Sequence, residues 1–138
     1  SRRPDARPPA LRALLDAHAF IWWVLDMPQL SAACRDIVSD GDNEVRFSVA
    51  SAYEIAYKAD QGRLSLPAAP EDFVRDRLAT NGFLPLRIEL AHALQAAVLP
   101  NIHRDPFDRL LVAQAQIEGL AILTADPAIA RYDVETIW

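Results

Sequence analysis

Apolar positions along this chain repeat in two periods, and the period changes where the elements do. LRALL at residues 11–15 is a short apolar run ending in Asp16, a strand signature. AFIWWVLD at 19–26 has the length and spacing of a helix stopped near Pro28. Helical spacing returns over 30–40 through Ala33, Ile37 and Val38, and Gly41-Asp42-Asn43 makes a turn before a strand at 45–49. Helices are expected over 51–61, ended by Gly62, and over 70–81, ended by Gly82. A strand at 83–88 contains Pro85, which suits a sheet edge because proline cannot donate to a ladder. A helix over 89–99 is closed by Pro100, and Asp105-Pro106 opens a long one running to Glu118 and capped by Gly119. Residues 120–124 form an almost wholly apolar strand, Asp126-Pro127 begins a single helical turn, and 134–138 is a last strand.

Strands alternating with helices, the strands apolar enough to be covered on both faces, predict a single α/β domain on a mainly parallel sheet. Such sheets carry their sites at the carboxyl ends of the strands. Residues 1–10, with three prolines and no apolar period, read as a disordered lead-in, and the domain as 11–138. No apolar stretch reaches the ~20 residues a membrane span needs, and the first ten residues lack a secretory core, so a soluble, cytoplasmic protein is expected. The single cysteine, Cys34, cannot form an internal disulfide and reads as a small buried residue.

Charge complicates the functional reading. The net charge is -5, and setting aside the three Arg and one Asp of residues 1–10 leaves -7. A sequence-independent nucleic-acid binder would show a basic surface, unless its acids gather where a divalent cation reverses the local field. Asp16 and Asp126 fall at or just beyond strand carboxyl ends, Glu54 in the first turns of a helix and Asp108 in another helix's first turn. Each has a structural alternative: Ser51-Ala52-Tyr53-Glu54 fits a capping box, while Asp108 and Asp126 sit where caps and dipole-complementing acids occur. Asp16 follows Leu14-Leu15 with no cation beside it in sequence, and a buried unpaired carboxylate is costly unless it binds metal or does chemistry. Hard Mg²⁺ and Mn²⁺ ions would give four acids a reason to meet.

The stretches LLDAHAFIWWVL, FSVASAYEIAYKADQGRLSLP, HRDPFDRLLVAQA and LAILTADPAIARY resemble those of PIN-domain proteins, specifically the toxin ribonucleases of VapBC toxin–antitoxin pairs. The resemblance runs from about Leu11 to Trp138 and implies a sheet of order 3-2-1-4-5 flanked by helices. It implies a Mg²⁺- or Mn²⁺-dependent endoribonuclease whose catalytic and metal-holding acids are Asp16, Glu54, Asp108 and Asp126, with Ser51 and Thr124 in supporting positions. It also implies an antitoxin partner that covers the site, and a homodimer. Trp22 and Trp23 lie about 100° apart on a helix, so either both are core residues or one faces inward and the other outward, in reach of an antitoxin groove. Lys58, Arg63, Arg104 and Arg109 are candidates for RNA phosphates or for ordinary surface roles. His18, His92 and His103 lack zinc spacing, and His103 is a weak candidate for substrate contact.

Two other classes compete. A haloacid-dehalogenase phosphatase would show D-x-D where this chain has Asp16-Ala17-His18, and a receiver-like module would need a lysine late in the chain, whereas the only one is Lys58. A non-enzymatic interaction module on the same fold remains open.

Overall fold

The computed structural model describes residues 10–138, so the lead-in expected over 1–10 lies outside the described residues but for Ala10. Five strands, β1 (Arg12–Leu15), β2 (Glu44–Ser48), β3 (Leu84–Leu86), β4 (Ala121–Leu123) and β5 (Thr136–Ile137), form one wholly parallel sheet of order β3-β2-β1-β4-β5. The order is the one that the family resemblance implies, and the edge place of the Pro85 strand is the one that proline's missing donor predicts. β1 is central because both its faces can be buried: Ala13, Leu14 and Leu15 are wholly inaccessible. Alternation sends Ala13 and Leu15 to one core with Phe20, Phe47 and Leu123, and Leu14 to the other with Leu111, Val112 and Ile122.

Six helices cover these faces: α1 (Ala17–Val24), α2 (Ala32–Ser39), α3 (Val49–Asp60), α4 (Pro70–Asn81), α5 (Leu90–Ala97) and α6 (Pro106–Glu118). Phe20 of α1 stacks on Phe47 of β2 at 4.2 Å between ring centres, seating the first helix directly over the sheet. Local chemistry sets the ends. Asp105 accepts from the Phe107 amide with Pro106 behind it, and Gly82 and Gly119 close α4 and α6 at φ 68° and 69°, where a side chain would be strained. α1 stops short of Pro28 because Asp26 turns left-handed at φ 51°.

One boundary corrects the sequence reading. α3 begins at Val49, capped by Ser48, whose hydroxyl accepts from the Ala50 amide at 3.0 Å. Ser51 is therefore inside the first turn, and the expected Ser51–Glu54 capping box does not form. The strand's own last residue supplies an acceptor three positions earlier, freeing the Glu54 carboxylate from the helix end. Cys34 is buried, as expected of a small apolar residue.

Candidate active site

In register, Leu15 lies beside Phe47 on one side and Leu123 on the other, so β1, β2 and β4 finish level and deliver Asp16, the start of α3 and Thr124 to one edge. Asp16 is 6% exposed and caps α1 by accepting from the Ala19 amide at 2.7 Å. The Thr124 hydroxyl donates a very short hydrogen bond to its other oxygen and accepts from the Asp126 amide at 3.0 Å. One threonine thus fixes two acids lying 110 residues apart in sequence. Asp126 in turn accepts from the Ala128 amide at 2.8 Å, which holds the turn ahead of the short 3-10 helix at Ile129–Arg131. In each of these two acids one carboxylate oxygen holds a backbone amide, while the other meets a side chain of the edge, Thr124 for Asp16 and His103 for Asp126.

A residue the sequence left in the background sits between two of the acids. His103 Nε2 lies 2.9 Å from an oxygen of Asp108 and 2.9 Å from one of Asp126. Its Nδ1 accepts from the Asp105 amide at 3.2 Å, which fixes the ring at the mouth of α6. Among the described residues, His103, Asp108 and Asp126 are the group whose potential ligand atoms all lie within 4.8 Å of one another; Asp16 and Glu54 stand outside it. Glu54, 7% exposed, is held by Lys58 at 2.6 Å. The sequence signal for His103 was only its place in HRDPFD, because its partner Asp126 is 23 residues away.

Electrostatics ties the four acids together. Burial raises Asp16, against the bonds from Thr124 and Ala19, and Asp126 adds to the rise. Asp108 is pushed up to about 7, first by burial and then by Asp105, with Glu54 and Asp126 adding and His103 opposing. Partial burial pushes Asp126 up, yet the His103 bond and the backbone amides hold its carboxyl below the ordinary value. His103 is raised because its bond to Asp126 and the charges of Asp108, Asp126 and Asp105 outweigh burial. Asp108 and Asp126 offer carboxylate oxygens of the kind that suits a hard divalent cation, while Asp16 and Glu54 stand outside that close group.

Two depressions adjoin this edge. A cleft of about 260 Å³ is lined by Asp16, His18, Trp22, Ala125, Asp126 and Pro127. A groove of about 400 Å³ beside it runs between α1 and α3, past Ile21, Trp22, Leu25, Glu54 and Lys58 to Arg63. The tryptophans are neither both core residues nor split inward and outward: both are half-buried. Trp23 Nε1 donates to Asn81 at 3.0 Å, tying α1 to α4, and Trp22 forms the wall between the two depressions.

Of the basic candidates, Arg109 turns away from the acids. Its guanidinium donates to the carbonyls of Ala96, Leu99, Pro100 and His103, binding the α5–α6 loop to α6. Tyr132 joins that clamp by accepting from the His103 amide at 2.8 Å and donating to Pro100 at 2.9 Å. Nothing in the sequence distinguishes this arginine from a phosphate-facing one. His92, 1% exposed, joins the Glu89 amide to Glu118 and is structural.

The PIN-domain family model matches residues 13–135. No curated protein matches the chain in sequence. Among solved structures, VapBC2 from Rickettsia felis, bound to a DNA fragment from its promoter, superposes with a TM-score of 0.68 at 10% identity, covering 93% of this chain and 99% of that one. FitAcB from Neisseria gonorrhoeae gives 0.57 at 20% identity, covering 91% and 96%, and PAE2754 from Pyrobaculum aerophilum gives 0.61 at 16%, covering 98% and 90%. At such identities these likenesses establish the fold.

Proposed function

Because this chain belongs to the PIN-domain family, whose members are generally nucleases, we propose that it is a metal-dependent endoribonuclease toxin neutralised by a cognate antitoxin. In this reading Asp16, Glu54, Asp108 and Asp126 would hold one or more Mg²⁺ or Mn²⁺ ions. The observation that carries the reading is the pair of oxygens of Asp108 and Asp126 meeting one histidine nitrogen at 2.9 Å, with Asp126 linked to Asp16 through Thr124. Asp108 and Asp126, brought this close from separate elements, repel one another, and a cation bound between them would relieve that repulsion beyond what the His103 contact does.

When bound, a divalent cation activates water and neutralises charge on a phosphoryl group. The chain's own part is positional. Thr124 and the Ala19 amide fix Asp16, Lys58 holds Glu54, and the N-terminus of α6 lies beneath Asp108. His103 donates from Nε2 to Asp108 and Asp126, since its Nδ1 already accepts from a backbone amide, and so keeps those oxygens together.

The solved VapBC2 and FitAcB structures, and a toxin–antitoxin complex from Klebsiella pneumoniae, support an antitoxin partner for this chain too. The α1–α3 groove, apolar along Ile21, Trp22 and Leu25 with Lys58 and Arg63 at its rim, is where an antitoxin segment would lie. A homodimer is supported by Leu90 and Leu94 of α5 and Val98 at its C-cap, spaced by four and 74%, 61% and 77% exposed. Among the described residues no helix is long and apolar enough to cross a membrane.

The test is incubation of the purified chain with unstructured RNA and Mn²⁺, against the same mixture with chelator. Metal-dependent cleavage leaving 5′-phosphate and 3′-hydroxyl ends is expected. An RNA left intact in Mn²⁺ would overturn the reading.

A further inference from the structure

Resting on the nuclease reading, we infer that the cleft between Asp16, Asp126 and Trp22 is a stacking site for one unpaired nucleobase of the substrate, next to the bond that is cut. The argument starts from charge. Outside the lead-in the chain carries -7, so the phosphate contacts that give most nonspecific binders their affinity are scarce here. A single strand offers a second handle, the faces of its bases, and stacking on aromatic rings needs no positive charge.

The cleft supplies that handle. The exposed His18 ring lies against Trp22 at 5.6 Å between centres and 32° between planes, and Trp138 meets Trp22 edge-on at 5.6 Å. Trp22 is thus braced before anything binds, which lowers the entropy cost of using it as a wall. At about 260 Å³ the cleft lies below the usual ~300–1,000 Å³ of small-molecule sites, and it suits one planar ring system rather than a whole nucleotide. Its other side is formed by Asp16, Ala125, Asp126 and Pro127, so a base stacked on the His18–Trp22 pair has its own phosphate at the acid edge. Stacking tolerates any base, which predicts a requirement for an unpaired nucleotide at that position rather than a strict sequence.

The experiment uses the full chain, Mn²⁺ and an unstructured oligoribonucleotide whose cleavage position has been mapped. Each nucleotide flanking the cut is replaced in turn by an abasic one, and steady-state parameters are measured for the parent, Trp22→Leu, Trp22→Phe and His18→Ala. One abasic position should raise the parent's KM by about 5- to 100-fold with kcat little changed. Trp22→Leu should raise KM on the intact oligonucleotide by a similar factor and become indifferent to that abasic position, while Trp22→Phe keeps most of the affinity. His18→Ala, on an exposed residue that folding does not need, should show a smaller loss of the same kind. A parent indifferent to every abasic replacement overturns the inference whatever the variants do, as does a Trp22→Leu variant whose abasic penalty is undiminished. A variant with unchanged KM that fails only to bind antitoxin would assign Trp22 to the partner groove and also overturn it. A parent that cuts RNA yet fails these tests leaves the nuclease reading standing, whereas a parent that does not cut RNA in Mn²⁺ removes both.

Discussion

The acid cluster should make the metal-free protein more stable in mild acid than at neutral pH. Asp108 has its carboxyl raised from 3.8 to about 7 by burial and neighbouring acids, so the folded chain binds a proton there more tightly than the unfolded chain. Stability from such a group is full below the unfolded value and is lost as pH rises through the folded one. Between pH 7 and 5.5 the unfolded carboxyl stays ionised, and each pH unit is worth ~1.36 kcal/mol, giving about 2 kcal/mol as an upper bound. The side chain is 20% exposed and shares its environment with His103, which reduces the gain to roughly 1–2 kcal/mol. His103, itself raised, acts with the same sign, its contribution being present below 6.5 and lost above its folded value. Asp126 and Glu44, both lowered, work oppositely, losing stability as pH falls below their ordinary values of 3.8 and 4.5 and through their lowered folded ones. The result is a maximum at roughly pH 4 to 6, and thermal melts in chelator from pH 8 to 5.5 should show Tm rising by roughly 3–8 °C. Asp108→Asn should flatten that rise. Adding Mn²⁺ should stabilise most at pH 8, where protons compete least, by ~2.7 kcal/mol at a hundredfold excess over its dissociation constant. A parent whose Tm is flat or falling over this range, or a rise undiminished in Asp108→Asn, would refute the reasoning.

Three further outcomes are expected. Asp16→Asn should abolish RNA cleavage and most metal-induced stabilisation while being no less stable than the parent in chelator, because it removes a repelling charge from a buried position; paired nuclease assays and melts check this. Arg109→Ala should cost about 2–4 kcal/mol in urea unfolding, since it strips the donor from several loop carbonyls, and should lower activity by releasing the segment that carries His103. Leu94→Glu should leave Tm within about 1 °C but shift sedimentation toward monomer, and an unchanged oligomeric state would remove α5 as the self-association face.

The sequence by itself determined the elements and their order. Helix ends are written in adjacent residues: Asp105-Pro106 at the start of α6, and glycines after α4 and α6 whose left-handed geometry costs no Cβ clash. The apolar runs at 11–15 and 120–124 had to be interior strands, and Pro85 had to be near an edge, because each follows from what one residue's backbone and side chain can do among its neighbours. The carboxylates were legible as candidates on the same terms, through their places at strand and helix ends. What the tertiary structure alone decided is which polar groups face one another. Thr124 reaches Asp16 across 108 positions, His103 falls between Asp108 and Asp126, and Arg109, one residue from a site acid, points into a loop instead. Successive residues of a helix point about 100° apart, and the Ser48 cap shows that where α3 begins can rest on one hydroxyl of the preceding strand. Local pattern fixes the period of an element. Its rotation and the partners it meets are set by burial and hydrogen bonding between segments far apart in the chain.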